Sequence, residues 1–365
     1  MKLHMLVALS LLLATPGCGT KSVTAFNPNT PRTYNGSASV GDFLNITLDP
    51  VAHTLAYTNH SNGDTGTVPY TVNPDGTFTL ADPTANLVTA YEVPGYALLI
   101  QAVKTGPNHD QLALITAVES GPISKATWAN KNYNYMQFRT AAGGLEIGSI
   151  AVDATGSVAH QGYWPYGAVN NGNAFGNGTF DGSLFINDPS GTFLKLADNG
   201  GTFDYVFGTA NGMFAVDTAQ GAILGLPQAA TKAFNPTFAG TYKAIYFEKT
   251  GANTGIGNVE TGTPALGNAD MMIDATGQIT VLDAQGATLV AAQLTPVADA
   301  AYLVGTNELT NPCFGLFTFR VTTANSQRDV FVTFQDRSVM FSSFSTVLPV
   351  QPGSTYDYLY GVGLK

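Results

Sequence analysis

The chain repeats itself, and that repetition limits its fold more than any other feature. Ala25-Phe26-Asn27-Pro28, then four residues, then Thr33-Tyr34, recurs as Ala233-Phe234-Asn235-Pro236 and Thr241-Tyr242. Ile150-Ala151-Val152-Asp153-Ala154-Thr155-Gly156 is echoed by Met271-Met272-Ile273-Asp274-Ala275-Thr276-Gly277, with Asn45-Ile46-Thr47-Leu48-Asp49 as a degenerate version. Asn73-Pro74-Asp75-Gly76-Thr77-Phe78 pairs with Asn187-Asp188-Pro189-Ser190-Gly191-Thr192-Phe193, and a glycine opens an apolar run at Gly95-Tyr96, Gly212-Met213 and Gly315-Leu316. Self-similarity in a fixed order means one structural unit used several times. The anchors arrive in the same order three times, which divides the chain into modules at 33–122, 123–230 and 231–365. The middle module opens differently, over Trp128 to Tyr135. The third is enlarged: Tyr242 to Asp274 is more than twice as long as Tyr34 to Asp49, and the excess falls on the Gly/Thr/Asn-rich run from Lys249 to Gly267. That run is expected as a surface loop.

Each module reads as all-β. Short apolar runs at Phe43 to Leu48, Leu87 to Val93, Ala97 to Val103, Leu112 to Val118, Phe317 to Val321 and Val330 to Phe334 are strand candidates. Asn35-Gly36, Asn62-Gly63, Asp75-Gly76, Asn177-Gly178, Asp181-Gly182 and Asn211-Gly212 read as tight turns between strands, because these pairs accept positive φ. Long 3.6-residue periodicity is missing and Glu is scarce, so little helix is expected outside the first residues. The expected architecture is a tandem set of antiparallel barrel-like or sandwich modules in about three related repeats. Meandering barrel-like units are preferred, because the turns are short and evenly spaced. Tyr356, Tyr358 and Tyr360 alternate, so they share one strand face and read as a stripe facing a core or a module interface.

Charge and composition narrow the function. Only 11% of the 365 residues are charged, against about 25% in an average chain, while 44% are apolar. Such a chain buries a sizeable core and does not stay disordered. A net charge of −10 without a Lys/Arg cluster excludes a nucleic-acid surface, which needs a concentrated positive field. His53, His60, His109 and His160 form no zinc-ligand spacing, and Gly255-Ile256-Gly257 lacks the third glycine of a dinucleotide loop. Gly36-Ser37-Ala38-Ser39-Val40-Gly41 lacks the spacing of a nucleophile elbow and reads as a turn opening a strand. The acids near Asp188, Asp198 and Asp204 lack the spacing of a calcium loop. No catalytic residue, cofactor or metal is therefore expected. Glu92 and Glu119 end two strands and read as carboxylates facing water.

The N-terminus supplies an address. Met1-Lys2-Leu3-His4 is a short basic start, Met5 to Ala14 is nearly continuous apolar sequence, and Thr15-Pro16-Gly17-Cys18 follows. Ten residues are too few to span a bilayer as a helix, so the run is a signal h-region. These residues resemble the signal peptide of bacterial lipoprotein precursors, in which a small residue precedes the cysteine that becomes the lipidated first residue. The resemblance implies removal of residues 1–17, lipidation of Cys18, a tether over 18–32, and a cell-envelope location at an outer membrane or the cell surface. More than one acyl chain gives stable anchoring, where a single chain binds marginally. Cys313 then has no intramolecular partner and reads as a small buried residue.

The candidate ligand site is aromatic. Tyr163, Trp164 and Tyr166 are followed by Asn170, Asn171 and Asn173 in a polar stretch. Flat rings stack on sugar faces and asparagine amides bond hydroxyls, so these six residues are the candidate glycan contacts. Trp128, in an Asn-rich stretch ending at Tyr133-Asn134-Tyr135, is the second tryptophan. The expected function is a non-enzymatic envelope lipoprotein that binds a glycan or an envelope protein, in adhesion or envelope organisation. The alternatives are a calycin-like carrier with an apolar ligand inside one barrel, and a hydrolase with a dispersed carboxylate site.

Overall fold

A computed structural model describes residues 27–81, 85–104, 112–138, 146–165, 184–197, 203–209, 212–218, 221–252, 263–297, 314–322, 327–345 and 355–365. The first sheet contains β1 (Arg32–Ala38), β2 (Phe43–Asp49), β3 (Thr54–Asn59), β4 (Thr65–Val72), β5 (Thr77–Leu80), β6 (Ala85–Val93), β7 (Ala97–Lys104) and β8 (Leu112–Glu119). The second contains β9 (Lys131–Phe138), β10 (Glu146–Val152), β11 (Val158–Pro165), β12 (Leu184–Asn187), β13 (Leu194–Ala197), β14 (Phe203–Gly208), β15 (Phe214–Thr218) and β16 (Gly221–Pro227). The third contains β17 (Gly240–Ala252), β18 (Thr263–Ile273), β19 (Gln278–Asp283), β20 (Thr288–Gln293), β21 (Thr295–Pro296), β22 (Leu316–Thr322), β23 (Gln327–Gln335), β24 (Ser338–Ser345) and β25 (Thr355–Leu364). Helix among the described residues is limited to two 3₁₀ turns, Lys125–Thr127 and Pro236–Phe238.

All three sheets are antiparallel, barrel-like meanders in which the first strand pairs with the last: β1 with β8, β9 with β16, and β17 with β25. The first sheet closes completely. In the second, β11 and β12 stand at the two ends of the sheet, and a bridge between Ser157 and Leu184 joins the turn before β11 to β12. In the third, the chain passes from β20 through Leu294 into β21 and changes partner from β19 to β22, which turns a corner.

Turn chemistry follows the echoes seen in the sequence. Asp153 Oδ1 accepts from the Thr155 and Ser157 amides and from the Thr155 hydroxyl at 2.7–3.0 Å, and Asp274 does the same with Thr276 and Gln278 at 2.7–3.0 Å. These donors hold both carboxyls below the usual range. Gly156 and Gly277 close the two turns at φ 89° and 83°. Asn35-Gly36, by contrast, is not a turn. It lies inside β1, where a Cβ at Gly36 would meet Ala117 Cβ at 3.0 Å, so the glycine is there for close approach. The turn that follows β1 uses Gly41, at φ 92°. The run from Lys249 to Gly267 is also not simply a loop. Its ends extend β17 and β18, with Lys249 opposite Pro264 and Thr250 opposite Thr263.

One device recurs inside each module: an inward aromatic lies across a glycine directly opposite on the neighbouring strand. The pairs are Tyr57 and Gly66, Phe214 and Gly225, and Tyr246 and Gly267. The ring covers backbone that the glycine leaves bare. A buried tyrosine also sits on the first strand of each module, as Tyr34, Tyr133 and Tyr242. Tyr133 donates to Trp128 O at 3.1 Å and Tyr242 to Phe238 O at 2.7 Å, so each ties its strand to the 3₁₀ turn before it.

The modules also share a core made from their outer faces. Phe43 of the first stacks on Tyr205 of the second at 4.8 Å, and Phe138 of the second stacks on Tyr360 of the third at 4.7 Å. Tyr360 thus belongs to a module interface. At the junction the Tyr96 and Ser338 hydroxyls lie 2.9 Å apart, and Ser338 Oγ reaches Met213 Sδ at 3.7 Å, joining all three modules at one point. In the first two modules the residue after the buried tyrosine reaches onward: Asn35 donates to Thr192 O at 3.0 Å and Asn134 donates to Phe314 O at 2.8 Å. Between the first and third modules, Gln101 Nε2 donates to Gly267 O at 2.6 Å.

Ser37 and Asp217 form a buried polar contact across the first interface, with the hydroxyl donating at 2.6 Å. Burial pushes the Asp217 carboxyl up to about 7, the Ser37 bond opposes this, and the nearby Asp42 and Asp204 add to it.

Gly225→Ala drives a methyl into the Phe214 ring and lowers stability by about 1–3 kcal/mol. Gly121→Ala, with nothing within 4 Å, stays within about 0.5 kcal/mol of wild type; urea midpoints check both. The folded state favours protonated Asp217, so its contribution is complete below the unfolded carboxyl value of about 4 and is lost as pH rises to about 7. Asp217→Asn should flatten the decline in stability across that window, measured by urea denaturation at successive pH values.

Candidate functional site

The sequence candidates are placed only in part. Tyr163 and Trp164 lie at the end of β11, where their backbones pair with Gly148 and Ile147 of β10. Tyr166, Asn170, Asn171, Asn173 and Cys18 lie outside the described residues. Trp128 supplies no exposed ring. It is fully buried in the second module against Phe185 and Phe214, at centroid distances of 5.4 and 6.1 Å. It plugs one end of that module, as Phe238 does in the third.

Glu92 does not face water. It is buried inside the first barrel, and its two oxygens meet Arg32 Nε at 2.5 Å and Nη2 at 2.7 Å, with the Tyr34 hydroxyl also donating to Oε1. The carboxylate bonds raise the Arg32 guanidinium, and burial first, then Glu92, raises the Tyr34 phenol. Arg32 Nη1 also donates to Pro28 O at 3.3 Å and Thr30 O at 3.2 Å, strapping the incoming chain across the barrel end. Glu119 is raised by burial, and Arg32 opposes the rise. With both oxygens committed to Arg32, Glu92 is part of a plug and is not available as an acid or base. Among the described residues no cluster of three His, Cys, Asp or Glu side chains is placed to hold a metal.

The third module has a cavity of about 320 Å³, and its position follows from strand alternation. Along β17 the inward row is Tyr242, Ala244, Tyr246 and Glu248, while Ile245 and Phe247 face the shared core. Tyr242 marks the closed end. There Phe234, Phe238, Phe317 and Phe334 pack with centroids 5.4–6.1 Å apart. Above this plug the inward rows line the interior without filling it. Phe319, Val330, Phe341, Ala269 and Met271 wall the middle. Val321, Leu359, Val281 and Val290 continue the wall, and Leu289, half exposed at 52%, stands at its rim. Leu289 is the extra residue of a β-bulge, since Val281 pairs with Val290 and Leu282 with Thr288.

This lining is almost wholly apolar, with Glu248 its one charged group. A volume near 300 Å³ with apolar walls and a few polar groups suits a small-molecule site. Glu248 has no ion-pair or hydrogen-bond partner among the described residues. Glu248 is one of six glutamates in the chain, and its immediate neighbours in the sequence do not single it out. The available signal is the two-residue period on β17, which puts this carboxylate on the same side as Tyr242 and Tyr246.

No protein-family model and no curated protein matches the sequence. Among solved structures, transferrin-binding protein B from Haemophilus parasuis Hp5, as a double mutant, is 8% identical with a TM-score of 0.26, covering 92% of this chain and 76% of that one. The isotype 1 transferrin-binding protein B from serogroup B Neisseria meningitidis is 10% identical with a TM-score of 0.26, covering 93% and 77%. Scores this low do not mark a common overall fold, and the architecture described above stands on its own strand pairing.

Proposed function

We propose that this chain is a lipid-anchored, non-enzymatic binding protein of the cell envelope whose third module holds a small apolar ligand. The observation that carries the binding reading is the apolar cavity of about 320 Å³ above the aromatic plug. Burying a ligand's apolar surface there is favourable by about 25 cal/mol per Å², and the walls come from strands already fixed by pairing. A preformed site of this kind avoids the ordering cost of a flexible one. The address is supported by the signal-like residues up to Cys18, and residues 18–32 supply a tether that ends where Arg32 enters β1. The carrier reading ranks above adhesion because it has a site with a volume and a chemistry.

Two measurements test the two halves. Ala269→Phe places a ring in the cavity wall, so the fluorescence gain of a neutral apolar probe such as N-phenyl-1-naphthylamine should saturate with wild type and weaken at least about tenfold in the variant. Equal saturable binding by both proteins, with the variant's urea midpoint preserved, would refute the site, as would the absence of binding by wild type. For the anchor, Cys18→Ala should abolish the added lipid mass and the partition into detergent. A wild-type protein recovered without lipid would sink that half alone.

A further inference from the structure

Ligand chemistry at this cavity is legible from its one charged group, given that the third module binds a ligand at all, the reading on which this inference rests. That group is Glu248, which lines the cavity. On the inward row of β17 it lies at the opposite end from the aromatic plug, flanked in register by Ala265 of β18 and Leu359 of β25. Neither neighbour neutralises a carboxylate. The rest of the wall carries no second charge.

We propose that the cavity selects amphiphilic cations: an alkylammonium or similar amine whose head is held by Glu248 while its tail fills the space between Phe319, Val330, Phe341 and Met271. An ammonium has three donors and no acceptor. It gives a charge-assisted donor to the Glu248 carboxylate. A carboxylate head of the same chain length places like charges together in a poorly solvated site, which is strongly unfavourable. A neutral alcohol gains the apolar contact and loses the charge pairing. Nothing reacts. The selection is by charge and depth alone.

The test is calorimetric titration of the full mature chain, made without its lipid, with n-octylammonium, n-octanoate and n-octanol. The expected order is ammonium, then alcohol, then carboxylate, with at least about a tenfold gap between the first and the last. Glu248→Gln should bring ammonium to within about twofold of alcohol and leave octanol binding unchanged. Octanoate binding as well as or better than octylammonium would overturn the cation preference while leaving the cavity reading intact, and so would an ammonium preference that survives Glu248→Gln. Failure of all three probes to bind would instead remove the cavity reading itself and this inference with it.

Discussion

The structure depends on strands that are buried on both faces. An ordinary antiparallel sheet turns one face to a core and one to water. Here the strands beside each first-to-last pairing face their own interior on one side and the other modules on the other. On β17, Tyr242 and Ala244 look inward while Ile245 and Phe247 join the shared core. On β9, Tyr133 and Tyr135 look inward while Met136 and Phe138 look out. The three modules are therefore locked by the same strands that close them, and opening an interface exposes apolar surface on the closing strands themselves. Asn35, Asn134 and Gln101 each bond across a different interface, so every pair of modules is tied by a hydrogen bond.

Much of this is legible in the sequence because strand and turn signals are local. The predicted strand at Phe43 to Leu48 is β2, and that at Leu112 to Val118 is β8, each within a residue. The turns at Gly63 and Gly76 have the expected positive φ, because Asn-Gly and Asp-Gly next to strands leave few other choices. Asn35-Gly36 fails for an instructive reason. The same dipeptide serves a turn by accepting positive φ and serves a strand by letting another strand come close, and only the partner, Ala117 on β8, decides which. Tyr360 was readable as an interface residue, since alternation puts it on one face of a strand.

Glu92 and Glu248 show where reading a sequence stops. Both are strand glutamates, Glu92 between Tyr91 and Val93 and Glu248 between Phe247 and Lys249, and neither setting tells what the inward carboxylate meets. Glu92 finds Arg32 across the first barrel, sixty residues away in the chain, and becomes part of a plug. Glu248, in register with Ala265 and Leu359, lines the cavity of the third module. The cavity has the same origin. A gap inside a barrel is a property of several inward rows together, and no single run of sequence records it.

The plugs explain why the three interiors differ in what they are able to do. The first barrel is closed by a bidentate Arg32–Glu92 pair, and removing one partner of such a pair costs more than the pair contributes, because it leaves a buried charge alone. The pair sits where the chain enters the fold, with Arg32 bonded to Pro28 O and Thr30 O just before β1. β1 is zipped between β2 and β8, and its first residue is held by a charge pair inside the barrel. The plug of the third module is aromatic and apolar instead, and above it lies a cavity with a single carboxylate in its lining. The buried charge pair and the apolar cavity are thus placed in different modules, and the shared core makes them parts of one body.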